Sequence, residues 1–143
     1  MDNNEKLIYH FDVSGDNFTS AGHASLETKK ILRRIGIDPQ TIRRVAIAMY
    51  EGEINMVIHA GGGEVDIVID EDRIVITLVD HGPGIANVEL AMQEGFSTAS
   101  DSVRNLGFGA GMGLPNMKRY SDGMEIETKL CEGTTITLTF NIE

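Results

Sequence analysis

The chain has no tryptophan, three prolines and a single cysteine, and aromatic residues make up only 6% of it. With Cys131 alone, an internal disulfide framework is excluded, which fits a reducing compartment. No apolar run approaches the roughly 20 residues needed to cross a bilayer. The longest helical candidate is interrupted by Glu51, Glu53 and Asn55, so an integral membrane protein is not expected. The first residues lack the basic-then-apolar pattern of a secretory leader, which makes the cytoplasm the expected location. Basic charge is scarce too: 12 Lys and Arg stand against 22 Asp and Glu, for a net charge of −10 at pH 7. A field of that sign repels nucleic-acid phosphates and anionic membrane surfaces and steers in basic protein partners. Linkers, internal repeats and low-complexity tracts are also missing.

What remains is an ordinary soluble composition, 41% apolar and 24% charged. The 143 residues fit one domain spanning 1–143. A chain of that size buries roughly 70% of the surface its unfolded form exposes. Residues 7–13 alternate weakly around Ile8, Tyr9, Phe11 and Val13 and suit an outer strand. Residues 17–35 read as a helix, with Asp16 and Asn17 as candidate caps, Gly36 as the stop, and Lys29, Lys30, Arg33 and Arg34 favouring its C-terminal end.

A second helix is expected over 39–60. Asp38 stands as its cap, Pro39 occupies its first position, and the triplet Gly61-Gly62-Gly63 ends it. It is nearly apolar all round, as a helix packed inside a domain would be. Two strands follow, 64–70 and 73–80, joined by the acidic turn Glu71-Asp72. Residues 87–94 suit a short helix, 96–107 a polar mobile loop, and 114–120 a helix offset by Pro115. Strands over 124–130 and 134–142 flank the turn Cys131-Glu132-Gly133. This order predicts an α+β fold: a two-layer sandwich with a mixed, mostly antiparallel sheet and helices on one face.

Glu51 and Asn55 lie four apart in the oily helix and so share one face. A buried carboxylate demands a partner, and magnesium takes a few oxygen ligands such as an amide carbonyl. Asn55 is therefore the metal-ligand candidate, and Glu51 a base or water holder. The plain alternative, that both sit at a helix edge facing water, stays open on this helix alone. Glu53 points roughly to the opposite side and takes that plain reading.

The run Asp80-His81-Gly82-Pro83-Gly84 follows directly from a strand, placing Asp80 at the mouth where ligands are often received. A carboxylate there can accept a hydrogen bond from the exocyclic amine of adenine, with glycines leaving room for the base. An ordinary glycine turn would look the same. Gly107, Gly109, Gly111 and Gly113 alternate just before a helix, which brings free N–H groups towards phosphate oxygens. The loop has no lysine of the P-loop kind and opens no strand-helix-strand dinucleotide unit. Because the net charge also repels ATP, such a site must supply its own compensation from magnesium and backbone N–H groups.

Together these motifs resemble the GHKL, or Bergerat-fold, ATPases over nearly the whole chain. Glu51-x-x-x-Asn55 is similar to their N box, Asp80-x-Gly82-x-Gly84 to their first glycine box, and Gly109-x-Gly111-x-Gly113 to their second. Gly133-Thr134 resembles the element whose threonine helps bind adenine through water. The small size and the runs from Asp80 to Ile85 and Glu94 to Thr98 most resemble the anti-sigma-factor and stress-switch serine kinases.

The resemblance implies ATP and magnesium as cofactors and a serine on a small antagonist protein as substrate. It also implies a sigma factor as a second partner in some members, and leaves a homodimer open. Carried over, Asp80 holds adenine, Asn55 ligates magnesium and Glu51 is the base. Arg104, Lys118 and Arg119 are weaker candidates for phosphate neutralisation. The alternatives are a nucleotide-gated binding module without transfer and a detached ATP-binding subunit of a histidine kinase. Gly52 departs from a good helix former, costing about 1 kcal/mol against alanine, and implies close packing or a loosened helix. His59 reads as a C-terminal cap cation or a satisfied interior histidine, and His23 as solvated.

Overall fold

The structure, a computed structural model, describes residues 6–15, 21–93 and 113–142. The expected loop over 96–107, Arg104, the caps Asp16 and Asn17, and Gly107, Gly109 and Gly111 lie outside the described residues. The elements run β1 (Leu7–Ser14), α1 (His23–Arg34), α2 (Pro39–Ala60), β2 (Gly62–Ile69), β3 (Arg73–Asp80), α3 (Val88–Ala91), α4 (Gly113–Tyr120), β4 (Gly123–Lys129) and β5 (Gly133–Asn141).

The five strands form one sheet in the order β1-β2-β3-β5-β4. The expectation of a mostly antiparallel sheet holds, and each of the four seams is antiparallel. Alternation along the strands sends Val65, Ile67 and Ile69, then Ile74, Ile76 and Leu78, then Ile136, Leu138 and Phe140 to one face, where all nine are buried. That face meets Val45, Ala48, Met49 and Met56 of α2 in a single core. With α1 packed on one flank of α2 and α4 on the other, the helices form one layer and the sheet the second.

The central helix begins and ends where its caps dictate. The Asp38 carboxylate accepts from the N–H of Gln40 at 3.1 Å and of Thr41 at 3.4 Å, and Pro39 opens the first turn. Gly61, at φ 71°, closes it in the left-handed region. Its Gly52 faces Leu78 so closely that a Cβ would lie 2.5 Å from Leu78 Cδ2, so close packing is the reason for a glycine mid-helix. Strand β2 starts two residues earlier than the pattern suggested, because Gly62 and Gly63 pair with Ser14 and Val13. Any Cβ at Gly62 would lie 2.2 Å from the Val13 carbonyl oxygen. Helix α3 is shorter than expected, with Asn87 accepting from the Leu90 N–H as its cap. No helix among the described residues is long and apolar enough to cross a membrane.

Candidate functional site

A cavity of about 510 Å³ opens where five separate stretches of sequence converge. Asn55 and His59 come from the last turns of α2, Asp80 from the end of β3, Gly84 and Asn87 from the following loop, Gly113 from the start of α4, and Thr134 from β5. Its size suits a small-molecule site, for which roughly 300–1,000 Å³ is usual. Apolar walls from Ile58, Ile85, Leu90, Leu114 and Ile136 complete it.

Asp80 is held from two sides. Its Oδ1 accepts from the N–H of Gly82 at 3.1 Å and from that of Thr134 at 3.1 Å, so the carboxylate is oriented by its own turn and by the neighbouring strand. Both donors sit on one oxygen, which leaves Oδ2 to a ligand. Thr134 is 6% exposed, and its hydroxyl lies 2.9 Å from that of Thr128 on β4. The Thr128 hydroxyl in turn accepts from the Ile85 N–H at 2.8 Å. Thr128 therefore ties the loop after β3 to the floor of the cavity, a role that a lone threonine in an alternating strand does not announce.

The glycines of this corner answer to packing before they answer to any ligand. A Cβ at Gly82 would lie 2.6 Å from Ala60 Cβ, and Gly84, at φ 79°, has Lys129 O where a side chain would begin. Both let the loop lie against α2 and β4, and of the two only Gly84 lines the cavity. At Gly113 a Cβ would fall 2.8 Å from Asn55 Oδ1, so glycine is what allows α4 to begin directly on the Asn55 amide.

Successive side chains of a helix are rotated by about 100°, so three residues of α2 face three surroundings. Asn55 lines the cavity. Glu51, one turn earlier and half-buried, receives the Asn116 Nδ2 of α4 at 3.3 Å and lines a separate groove between α1 and α2. Glu53 corrects the sequence reading: it is 1% exposed rather than facing water. Its Oε2 accepts from the N–H of Gly22 at 3.0 Å and of Ala24 at 3.3 Å, and its Oε1 from that of Ser25 at 2.6 Å.

The carboxylate thus caps the N-terminus of α1 from a neighbouring helix, meeting orphan donors and the positive end of the dipole together. Burial pushes its carboxyl up, and the N–H groups of Ser25, Gly22 and Ala24 pull against that shift. A signal existed: in a helix apolar all round, an acid opposite Glu51 has no water to face.

His59 lines the cavity, and burial lowers its pKa against the opposing pull of the Asp80 carboxylate, so it presents a neutral ring. His23 is exposed, as expected. Lys118 and Arg119 sit in the last turn of α4, both exposed and away from the cavity lining.

Residues 17–140 match the family described as the histidine kinase-like ATPase domain. The anti-sigma F factor of Caldanaerobacter subterraneus subsp. tengcongensis is 33% identical over 110 residues, covering 72% of this chain and 73% of that protein. The serine/threonine-protein kinase RsbT of Bacillus subtilis is 30% identical over 112 residues, covering 76% of this chain and 78% of its own. Among solved structures, the RsbU and RsbW domains of a Mycobacterium tuberculosis protein superpose with a TM-score of 0.66. That superposition covers 95% of this chain and 32% of the other at 18% identity, a likeness of fold.

Proposed function

The chain belongs to the histidine kinase-like ATPase family, and from that membership we propose how its cavity serves an ATP-dependent serine protein kinase, a regulatory switch of the anti-sigma-factor type. The observation that carries the reading is the convergence of Asn55, Asp80, Gly113 and Thr134 on one cavity with Glu51 a single helical turn away. Asp80, fixed through Oδ1, accepts the adenine amine on Oδ2. Thr134 reaches the base through water, Gly84 shapes the wall beside it, and Gly82 lets that loop lie against α2. Gly113 and the N-terminus of α4 present N–H groups to the phosphates, and the alternating sequence pattern alone assigns Gly107, Gly109 and Gly111 to the same task.

The donors around Asn55 fit magnesium. Its amide carbonyl and the phosphate oxygens are hard oxygen ligands, and the missing side chain at Gly113 keeps the Asn55 amide accessible. When bound, the ion neutralises charge on the transferring phosphoryl group. Glu51, oriented by Asn116, takes the proton from the serine hydroxyl as its oxygen bonds to the γ-phosphorus and the bond to the leaving ADP oxygen breaks.

The substrate in this reading is a serine on a small antagonist protein, and the names of the anti-sigma relatives support a sigma factor as a second partner. A second copy of the chain is a further partner that the proposal leaves open. The chain acts as one domain over 1–143, in the cytoplasm.

The test is calorimetry with MgATP together with transfer of labelled phosphate to the partner. Glu51→Gln should hold ATP with an affinity within about twofold of wild type while transfer falls by about 100-fold or more. Undiminished transfer would remove Glu51 from the mechanism. Binding of ATP by the wild type without labelling of a partner would favour the non-catalytic gate, and acid-labile phosphate on the partner the histidine-kinase subunit. Absence of nucleotide binding would end all three.

A further inference from the structure

The groove that Glu51 lines is separate from the nucleotide cavity. It measures about 410 Å³ and runs between α1 and α2, bordered by Leu26, Lys29, Ala46, Ile47, Tyr50 and Glu51. Two of its walls are large apolar groups left in water, Leu26 at 52% exposure and Tyr50 at 40%. A segment seated in this groove can present a hydroxyl to Glu51 from the Tyr50 side while the γ-phosphate of a nucleotide at Asn55 lies one helical turn away.

The charge around the groove runs against the rest of the molecule. Between residues 29 and 44 lie Lys29, Lys30, Arg33, Arg34, Arg43 and Arg44, half of the chain's 12 basic residues, and one acid, Asp38. Two of the six are engaged elsewhere, Lys30 with Glu27 at 3.3 Å and Arg44 with Asp122 at 2.9 Å. Leu26, Lys29 and Arg33 recur at i, i+3 and i+7 on α1, and Arg43, Ala46, Ile47 and Tyr50 at i, i+3, i+4 and i+7 on α2. Each stripe is thus apolar towards Glu51 and cationic, at exposed Arg33 and Arg43, towards the α1–α2 turn. In a chain of net charge −10, this is a local attractor for acidic groups.

The walls are also fixed in advance. The Glu53 carboxylate holds the first turn of α1, and Gly22, at φ 98°, lies against the Tyr50 ring so closely that a Cβ there would fall 2.9 Å from Cε2. A wall that does not have to be ordered on binding saves that cost.

We propose that the α1–α2 groove docks the phosphoacceptor partner through an acidic segment that carries the target serine next to an apolar residue. This rests on the kinase reading above. The serine meets Glu51, the apolar neighbour lies between Leu26 and Tyr50, and carboxylates of the segment meet Lys29, Arg33 and Arg43. Eight residues of helix separate Arg43 from Glu51, about 12 Å at 1.5 Å per residue. An extended segment spans that in about four residues, which sets the offset between the serine and its farthest acidic contact.

The experiment uses the whole isotope-labelled protein, with MgATP and then either of two synthetic peptides, Glu-Asp-Glu-Leu-Ser-Leu-Glu-Asp-Glu or the same peptide with every acid replaced by lysine. The acidic peptide should shift the backbone amides of Leu26, Lys29, Ile47 and Tyr50, and the basic one should leave them in place. In the charge-reversed K29E/R43E double variant, the dissociation constant of the acidic peptide should rise at least tenfold and the basic peptide become the tighter ligand, with ATP affinity unchanged. A preference that follows the reversed charge is not something a merely destabilised helix produces. No shift in the groove with the acidic peptide at millimolar concentration, or equal affinity in the double variant, overturns the docking proposal. ATP serves as the internal control: if it shifts Asn55, Asp80 and Thr134 while the groove stays silent, only the docking falls. If ATP shifts nothing, the kinase reading falls with it.

Discussion

A carboxylate with 1% of its surface exposed must find donors inside the protein, and Glu53 takes three from one helix terminus. Removing it would leave the N–H groups of Gly22, Ala24 and Ser25 buried or half-buried without an acceptor, together with a cavity at the α1–α2 contact. Glu53→Ala should therefore cost about 3 kcal/mol in urea denaturation. Glu53→Gln should cost nearly as much, because one of its polar ends would turn donors towards donors. ATP affinity measured on the folded fraction should not change, since Glu53 does not line the cavity. A loss below about 0.5 kcal/mol in Glu53→Ala would mean that these hydrogen bonds do not hold α1 in place.

At the scale of the element, α2 is the part on which the site depends. It carries Glu51, Glu53 and Asn55 to three different neighbours, and its closeness to the sheet and α4 is set by Gly52. Gly52→Ala should gain about 1 kcal/mol of helix propensity. It would also drive a methyl group to 2.5 Å from Leu78 Cδ2 and 3.4 Å from Met117 Sδ. Both neighbours are core side chains, 2% and 0% exposed, so there is little room to yield. Overpacking of this kind costs about 1–3 kcal/mol, and the net result should be a lower melting temperature. The same displacement would move Glu51 and Asn55 relative to α4, so ATP affinity should fall as well. A variant that melts higher and binds ATP normally would show that α2 has slack at this contact.

Across the whole molecule, two histidines on opposite sides of the sheet couple stability to pH with opposite signs. Burial lowers the pKa of His59, so below about pH 6.5 the unfolded chain takes up the proton more readily and His59 subtracts stability as pH falls. On the outer face, hydrogen bonds from His10 to Asp66 at 2.6 Å and to Asp12 at 3.0 Å raise the His10 pKa. Its stabilising contribution is therefore present at low pH and lost as pH rises through the raised value. Denaturation curves between about pH 5.5 and 7.5 should separate the two. Relative to wild type, His59→Gln should gain stability as the pH falls and His10→Gln should lose it, and the same slope in both variants would contradict this assignment. Because His59 faces Asp80 in the cavity, bound ATP should also narrow the His59 effect.

Element order, the caps of α2 and the inward face of each strand follow from local rules and were legible in the residues. Helix α1, by contrast, begins at His23 after Gly22 with no side-chain cap of its own, and not at the expected Asp16 and Asn17. Asp38-Pro39 and Gly61 bound α2 through hydrogen bonds and backbone angles confined to a few neighbours, and alternation of Ile, Val and Leu chooses the buried face of each strand. The spacing of Glu51 and Asn55 and the alternating glycines pointed to nucleotide chemistry for the same local reason. What the folded chain alone decides are contacts between residues far apart in sequence. Glu53 finds its donors 28 to 31 positions away, Thr128 reaches Ile85 across 43, and Asp80 meets Thr134 across 54. Those meetings depend on α1 folding back along α2 and on the register of β3 with β5 and β5 with β4, and no local pattern encodes either. The separation of Glu51 from the cavity has the same origin: helical periodicity puts Glu51 and Asn55 on one face, and only the placement of α1 and α4 divides that face between two pockets.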